Sequence, residues 1–381
     1  MIYFDNAATT AVDDDVFQEM LPYLKEQYGN PSSLYSLGRN AKKAIEQARN
    51  RCAKALNCKP SEIYFTSGGS ESDNWVVNAI LTNGCINVHT SEIEHKAISN
   101  NLEHLKENFY YVNKIPTNSD GVIDYEDLLS QLERANSDDD FVTIMWVNNE
   151  IGTIQPIEKI SEICAKKGIL FHTDAVQAIG KVDIDLQKYS GISMLSISGH
   201  KIGAPKGVGL MFIREGVEVN PQIIGGHQER NKRAGTENVA GIVGLGKAIE
   251  KATTSIAENS LYVQKLKDRL VAGLKNIPNI QLNGFSEKQL PNFVNISFKG
   301  IEAESLVLCL DIKGVCVSGG AACNSGSLEP SYVLKAIGVP DDYIYGTIRI
   351  TLSEKNTISE VETFLKILEQ EVKKLRDYNT E

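Results

Sequence analysis

The chain has 381 residues, 42% of them hydrophobic and 23% charged, with only 11 prolines; this is a globular composition, neither disordered nor fibrous, and long enough for two domains. Its 39 Lys and Arg against 49 Asp and Glu give a net charge of −10 with no basic block, which argues against a direct nucleic-acid partner. No stretch approaches the roughly 18 apolar residues a membrane helix needs, and MIYFDNAATT has neither a basic start nor a long apolar run, so a cytoplasmic protein with no membrane partner is expected.

After the N-terminal segment, DDDVFQEMLPYLKEQYGNPSS predicts a helix with acidic residues in its first turn and a Gly-Asn-Pro stop. LGRNAKKAIEQARNRCAKALN predicts a second, in which Ala41, Ala44, Ile45, Ala48, Cys52, Ala55 and Leu56 recur at helical spacing. From residue 62 the texture changes. Short apolar runs (EIYFT, CINVH, FVTIMWV, ILFHT, SMLSIS, GVGLMFI) alternate with helical stretches, the pattern of strands buried on both faces. A mostly parallel sheet covered by helices is the expected architecture, with ligands at the C-terminal ends of its strands. Residues around 250 to 275 predict one or two long helices leading out of this unit. Beyond them, QLPNFVNISFKG, AESLVLCLDIKG, GTIRITLS and TISEVETFLKILEQEVKKL predict a smaller α+β domain. The expected division is 15–255 for the large domain, with 1–14 and 256–381 in the small one.

The seven cysteines are scattered, without a CxxC pair or a histidine at ligand spacing, so neither a disulfide framework nor a metal site is expected. Cys52, Cys85 and Cys309 fall on apolar faces or runs, where a thiol is a small hydrophobe. Cys323 sits instead in VSGGAACNSGSLEPS, among glycine, serine and asparagine.

Three stretches suggest chemistry. SISGHKIGAPKG (196–207) ends an apolar strand in a lysine and resembles the site at which pyridoxal phosphate is held covalently, with Lys201 as the amine; a solvated surface lysine is the alternative. In FHTDAVQAIG, Asp174 follows a strand and suits the carboxylate that keeps the cofactor's ring nitrogen protonated; a helix N-cap is the alternative. FTSGGSESDNWVV runs from a strand through glycines into a helix, a place for the cofactor phosphate at Gly69 and Ser70.

With these in order, the chain resembles the pyridoxal-phosphate-dependent cysteine desulfurases of the class V aminotransferase family, the NifS/IscS-like group. Matching stretches run almost its full length: YFDNAATT, YGNPSS, FTSGGSES, EHKAI, VNNEIGTIQPI, HTDAVQAIGK, SGHKIGAPKGVG, GGHQERNKRAGTENVAGIVG, ACNSGSLEPS and GTIRITLSEKNT. The resemblance implies a fold type I α/β architecture: a large domain with a mostly parallel mixed sheet flanked by helices, plus the smaller α+β C-terminal domain. It implies pyridoxal 5'-phosphate as cofactor and L-cysteine as substrate, converted to L-alanine with sulfur carried as a persulfide to an acceptor protein. That acceptor would serve iron–sulfur cluster assembly or the thiolation of tRNA or cofactors.

Residue by residue, the resemblance implies that His95 stacks on the cofactor ring and shuttles protons, and that Asn149 and Gln177 lie at its phenolic oxygen. Ser198 and His200 join Gly69 and Ser70 around the phosphate. Thr236 reaches that phosphate from a neighbouring subunit, which implies a homodimer. Arg349 holds the substrate α-carboxylate in its planar fork. Cys323 is the nucleophile that takes the sulfur, as a thiol on a polar Gly/Ser-rich loop able to visit both the substrate and an acceptor.

Tyr35, His227 and Ser353 depart from the family pattern, as does VSGGAAC in place of a more hydroxyl-rich run. Selenocysteine lyase or amino transfer on the same fold is the alternative activity, though amino transfer leaves Cys323 without a task. A non-catalytic sulfur relay is the alternative from another class, and the joint retention of Lys201, Asp174, His95, Arg349 and Cys323 argues against it.

Overall fold

In the computed structural model, residues 1–320 and 330–379 are described. The strands, in chain order, are β1 (Ile2–Tyr3), β2 (Ile63–Thr66), β3 (Asn87–Ser91), β4 (Tyr111–Ile115), β5 (Asp140–Thr143), β6 (Leu170–Asp174) and β7 (Ile192–Ser198). They continue with β8 (Gly209–Ile213), β9 (Ile280–Asn283), β10 (Phe293–Phe298), β11 (Val315–Cys316), β12 (Ser318–Gly319) and β13 (Thr347–Thr351). All six foreseen apolar runs enter one seven-stranded sheet, in the order β2-β8-β7-β6-β5-β3-β4. Four neighbouring pairs are parallel, whereas β8 runs antiparallel to both β2 and β7, so the sheet is mixed and mostly parallel.

Why the runs read as continuous rather than alternating is visible in where successive side chains go. Val142, Leu195 and Leu210 face one apolar cluster with the helices Ser36–Ala55, Ile157–Lys167 and Val239–Thr254. Their neighbours Phe141, Met194 and Met211 face another, with the helices Gly69–Asn83 and Lys96–Glu107. Period two persists, but both faces are apolar because helices cover both. The β4 run, YVNKI, is exposed at its start and buried only at Ile115, as an edge strand would be.

One feature departs from the simplest reading. The strand from FVTIMWV ends at Thr143, but the chain still follows β6, since the amides of Ile144 and Trp146 bond to the carbonyls of His172 and Asp174 at 3.2 and 2.9 Å. The long helical stretch is two helices, Val239–Thr254 and Ile256–Leu274, broken at Ser255.

A second, four-stranded antiparallel sheet, β12-β13-β10-β9, carries its own apolar cluster with the helices Ile256–Leu274, Ala303–Ile312 and Ile358–Asn379. The N-terminus joins it: β1 pairs with β11, Phe4 lies in that cluster, and Asp5 bridges Thr351. Ile93, Met145 and Ile151 pack against Val333, Leu334 and Ile344, tying the C-terminal segment to the ends of the large sheet.

At the outer edge of β2 a buried ion pair lies along the strand. Arg49 grips Glu229 in two places, at 2.8 and 2.7 Å, and gives a further bond to the carbonyl of Ile63, while Glu229 accepts from the amide of Phe65 at 2.9 Å. Arg230 adds a bond to the Ile63 carbonyl at 2.6 Å and stacks over Tyr64. Glu229, Arg230 and Asn231 all have positive φ, 44°, 55° and 64°, a costly conformation for three non-glycine residues that these contacts hold in place. Among the described residues no helix is long and apolar enough to cross a membrane.

Candidate active site

The C-terminal ends of the parallel strands converge on one edge of the large sheet, and the groups singled out in the sequence gather there. Asp174 ends β6, Ser198 ends β7 and Lys201 closes the 3₁₀ turn Gly199–Lys201 that follows. His95 and Asn149 stand on connections beyond β3 and β5. Gly69 opens the helix after β2, three residues past the strand. Because β8 runs the other way, its first residue, Gly209, pairs with both Thr66 and Ser198 and brings those two strand ends together. A Cβ at Gly209 would lie 2.5 Å from the Ile197 carbonyl and 2.7 Å from the Cα of Gly68, so only glycine allows this closeness.

Titratable groups are concentrated and largely buried here. Atoms of Asp73, His95 and Asp174 all lie within 4.8 Å of one another. Asp174 accepts from the amide of Val176 at 2.8 Å, so it does serve the capping role open to it, and burial raises its pKa against the lowering effects of His95, that amide and Lys201. The ring of His95 caps its own helix through Nδ1, which accepts from the amide of Ala97 at 3.1 Å. Lys201 donates to the carbonyls of Ala7 and Ala8 at 2.6 and 2.8 Å. His200 shares a hydrogen bond with Thr9 at 3.1 Å; burial, with the charges of Lys201 and Lys206 behind it, pushes its pKa down to about 4.

Arg349 reaches the same region from β13. It is buried, donating from Nη1 to the carbonyl of Asn149 at 2.7 Å and from Nη2 to Asp5 at 2.9 Å and Ser318 at 3.2 Å. Gln177 donates to the carbonyl of Ala7 at 3.0 Å. Ser70 and Thr236 are exposed. Cys323 lies outside the described residues; before it, the amide of Gly320 bonds to Thr347, and after it Ser331 donates to the buried Glu150 at 2.5 Å. Among the other thiols, burial pushes Cys52 and Cys58 up to about 12, which keeps them protonated and inert. Cys309 is only half-buried despite its apolar surroundings in sequence.

Sequence reasoning missed the N-terminal contribution. Asp5 and the carbonyls of Ala7 and Ala8 meet Arg349 and Lys201 across about 340 and 190 residues, and the recurrence of YFDNAATT as a family stretch was the signal that could have found them. Asp73 was missed too, although it lies within SGGSESDN. Of the departures, Tyr35 stands exposed ahead of the second helix, His227 bonds to Asn231 and Ser353 bonds to Asn356.

The residues present fit pyridoxal phosphate. Asn149 Oδ1, Gln177 Oε1 and Arg349 Nε are buried without a hydrogen-bond partner among the described residues, a cost that a polar ligand would relieve. Gly69 leaves a cradle at the helix start, since a Cβ there would lie 2.8 Å from Val176 and 3.4 Å from Ser198. A backbone amide row at a helix N-terminus beside a serine hydroxyl suits a phosphate. The buried Asp174 carboxyl and the Lys201 amine are the kinds of group that such a ring requires.

Comparison with known proteins agrees. The aminotransferase class-V family profile matches residues 2–364. A cysteine desulfurase IscS of Methanosarcina thermophila is 48% identical over 379 residues, covering 99% of this chain and 93% of that protein. Among solved structures, a NifS-like protein superposes with a TM-score of 0.90 at 40% identity, over 97% of this chain and 98% of its own. SspA, solved in complex with cysteine, superposes with a TM-score of 0.81 at 33% identity, over 94% of this chain and 100% of its own. The chain therefore belongs to the class-V aminotransferase family, among its pyridoxal-phosphate-dependent cysteine desulfurases.

Proposed function

We propose that this enzyme removes sulfur from L-cysteine through Lys201, Asp174, His95, Arg349 and Cys323, and passes it on as a persulfide. The observation that carries the reading is the meeting of Lys201, Asp174, His95 and Arg349 at the strand ends, beside buried polar atoms that lack partners among the described residues.

Pyridoxal phosphate, when bound, supplies an electron sink for the substrate's Cα. Lys201 would hold it through its amine, with Asn149 and Gln177 at the phenolic oxygen and His95 against the ring. Gly69, Ser70, Ser198 and His200 would hold the phosphate, joined by Thr236 of a second copy of the chain. Asp174, ionised, stabilises a proton on the ring nitrogen; a cation there lowers the carboxyl's pKa against the burial that raises it. Arg349 binds the α-carboxylate and fixes which Cα bond faces the ring. Lys201, with His95 beside it, would take up the proton that leaves Cα and hold it for return.

Cys323, as thiolate, attacks the substrate sulfur: an S–S bond forms, the Cβ–S bond breaks, and Cβ keeps the electron pair and gains a proton. The products are L-alanine and Cys323 persulfide, so L-cysteine and one thiol are fully accounted for. The acceptor of that sulfur is a protein of iron–sulfur cluster assembly or of tRNA or cofactor thiolation. The working unit is a homodimer in the cytoplasm, each chain divided into a large domain (15–255) and a small one (1–14 and 256–381). The separate apolar clusters of the two sheets support that division.

The test is alanine and sulfide production from L-cysteine with a reductant, comparing wild type with Cys323→Ser while recording the visible spectrum. Wild-type turnover with a variant that binds cofactor and substrate but releases neither product is the expected result. Equal activity in both proteins would remove Cys323 from the mechanism.

A further inference from the structure

The proposed function uses Asp174 and gives no part to a second carboxyl that faces it. Asp73 lies one turn into the helix Gly69–Asn83, fully buried on the side that packs over β6 and β7. Its Oδ1 has no hydrogen-bond partner among the described residues. The groups facing it are Asp174 and His172 from β6, Ser196 from β7, and Glu94 and His95 from the connection after β3.

Nothing on the β6 side neutralises it. His172 Nε2 is 3.9 Å from Asp73 Oδ1, but that ring is wholly buried between Thr143 at 2.9 Å and Ser196 at 3.0 Å, and burial pushes its pKa down to about 3. The imidazole is neutral. Two buried carboxyl groups less than 5 Å apart strongly oppose each other's ionisation, so one of them carries a proton. Their surroundings decide which. Asp174 has the Val176 amide, His95 and Lys201 favouring its charged form. Asp73 has burial, Asp174 and Glu94 against its charge, and the Ser196 hydroxyl in favour.

We propose that Asp73 is kept as the neutral acid and acts as a positioning residue for Asp174, so that a single negative charge faces the cofactor's ring nitrogen with a stored proton directly behind it. This rests on the role given to Asp174 above.

Isotope-edited infrared spectroscopy of the holoenzyme, with the aspartate carboxyls labelled, tests it. The wild type is expected to show the carbonyl band of a protonated aspartic acid at neutral pH, and Asp73→Asn to lose it. Asp174→Asn removes the neighbouring charge and should move the band's disappearance to lower pH by about one unit, a tenfold change in proton affinity. Cofactor affinity supplies an independent readout: Asp73→Ala should weaken pyridoxal phosphate binding and Asp73→Asn should restore it. Absence of the band in wild type at neutral pH, or its survival in Asp73→Asn, overturns the proposal. If Asp73→Asn fails to fold, the comparison of wild type with Asp174→Asn still decides. Should Asp174→Asn bind the cofactor as tightly as wild type while the band behaves as expected, the role of Asp174 falls and the positioning role with it, but the acid state of Asp73 stands; the two failures are thus separable.

Discussion

Replacing Arg349 by lysine keeps the positive charge and removes the fork, which isolates the geometry of carboxylate binding. A guanidinium has five N–H donors. Three are committed inside the protein, to Asn149, Asp5 and Ser318, and Nε is without a partner among the described residues, so Nε–H remains open to a substrate carboxylate. A lysine offers three donors from one atom, which cannot span Asp5 and the Asn149 carbonyl and still present a donor to the substrate. Losing one charge-assisted hydrogen bond costs about 1.5–3 kcal/mol, which raises KM roughly 10- to 150-fold. The carboxylate is present in every state along the reaction, so kcat should change far less than KM. The assay is the initial rate of alanine formation across L-cysteine concentrations, with thermal unfolding as the control that the Asp5 contact survives. A variant with unchanged KM would refute the reasoning and assign the carboxylate to another group.

Lys201→Ala should lose both turnover and the visible band of lysine-bound cofactor; a normal band in the variant would move the attachment elsewhere. Glu229→Gln leaves the buried Arg49 with only the half-exposed Glu46 as a counter-charge and should cost up to about 3–5 kcal/mol, read as a lower urea midpoint at unchanged slope, whereas an unmoved midpoint would mean the pair contributes nothing. Glu94 is buried, and burial raises its pKa to about 8 despite bonds from Ser91 and the Met145 amide. The folded state therefore holds this proton more tightly than the unfolded chain, so its stabilising effect is complete below about pH 4.5 and is lost as pH rises through about 8. Glu94→Gln should flatten that part of the stability profile; a profile identical to wild type would show that Glu94 does not titrate there.

Much of the fold could be read from the chain because its dominant signal is local. EIYFT and SMLSIS announce strands buried on both faces, and Ala41, Ala44, Ile45, Ala48 and Cys52 mark the inward stripe of a helix. What escaped is non-local. YVNKI is too polar to register as a strand and becomes one only by lying against β3. Lys201, Asp174 and Arg349 were legible because each ends or occupies an apolar strand. Asp5 and Asp73 were not, since a carboxylate in a polar stretch gives no sign that folding will set it against an arginine or a second carboxyl. Cys323 was singled out in sequence because its neighbours cannot bury it, while Cys52 and Cys164 vanish into the core.

The pair formed by Arg49 and Glu229 has a further consequence. A strand at the border of a sheet offers its unpaired carbonyls and amides to any other extended chain, which is how one folded molecule templates the misassembly of the next. Here the open side of β2 is occupied by side chains, with the Ile63 carbonyl taken by Arg49 and Arg230 and the Phe65 amide by Glu229. The ion pair is thus a plug as well as a brace. A molecule that loses it exposes an adhesive border, so its first symptom at high concentration should be aggregation, ahead of any loss of chemistry.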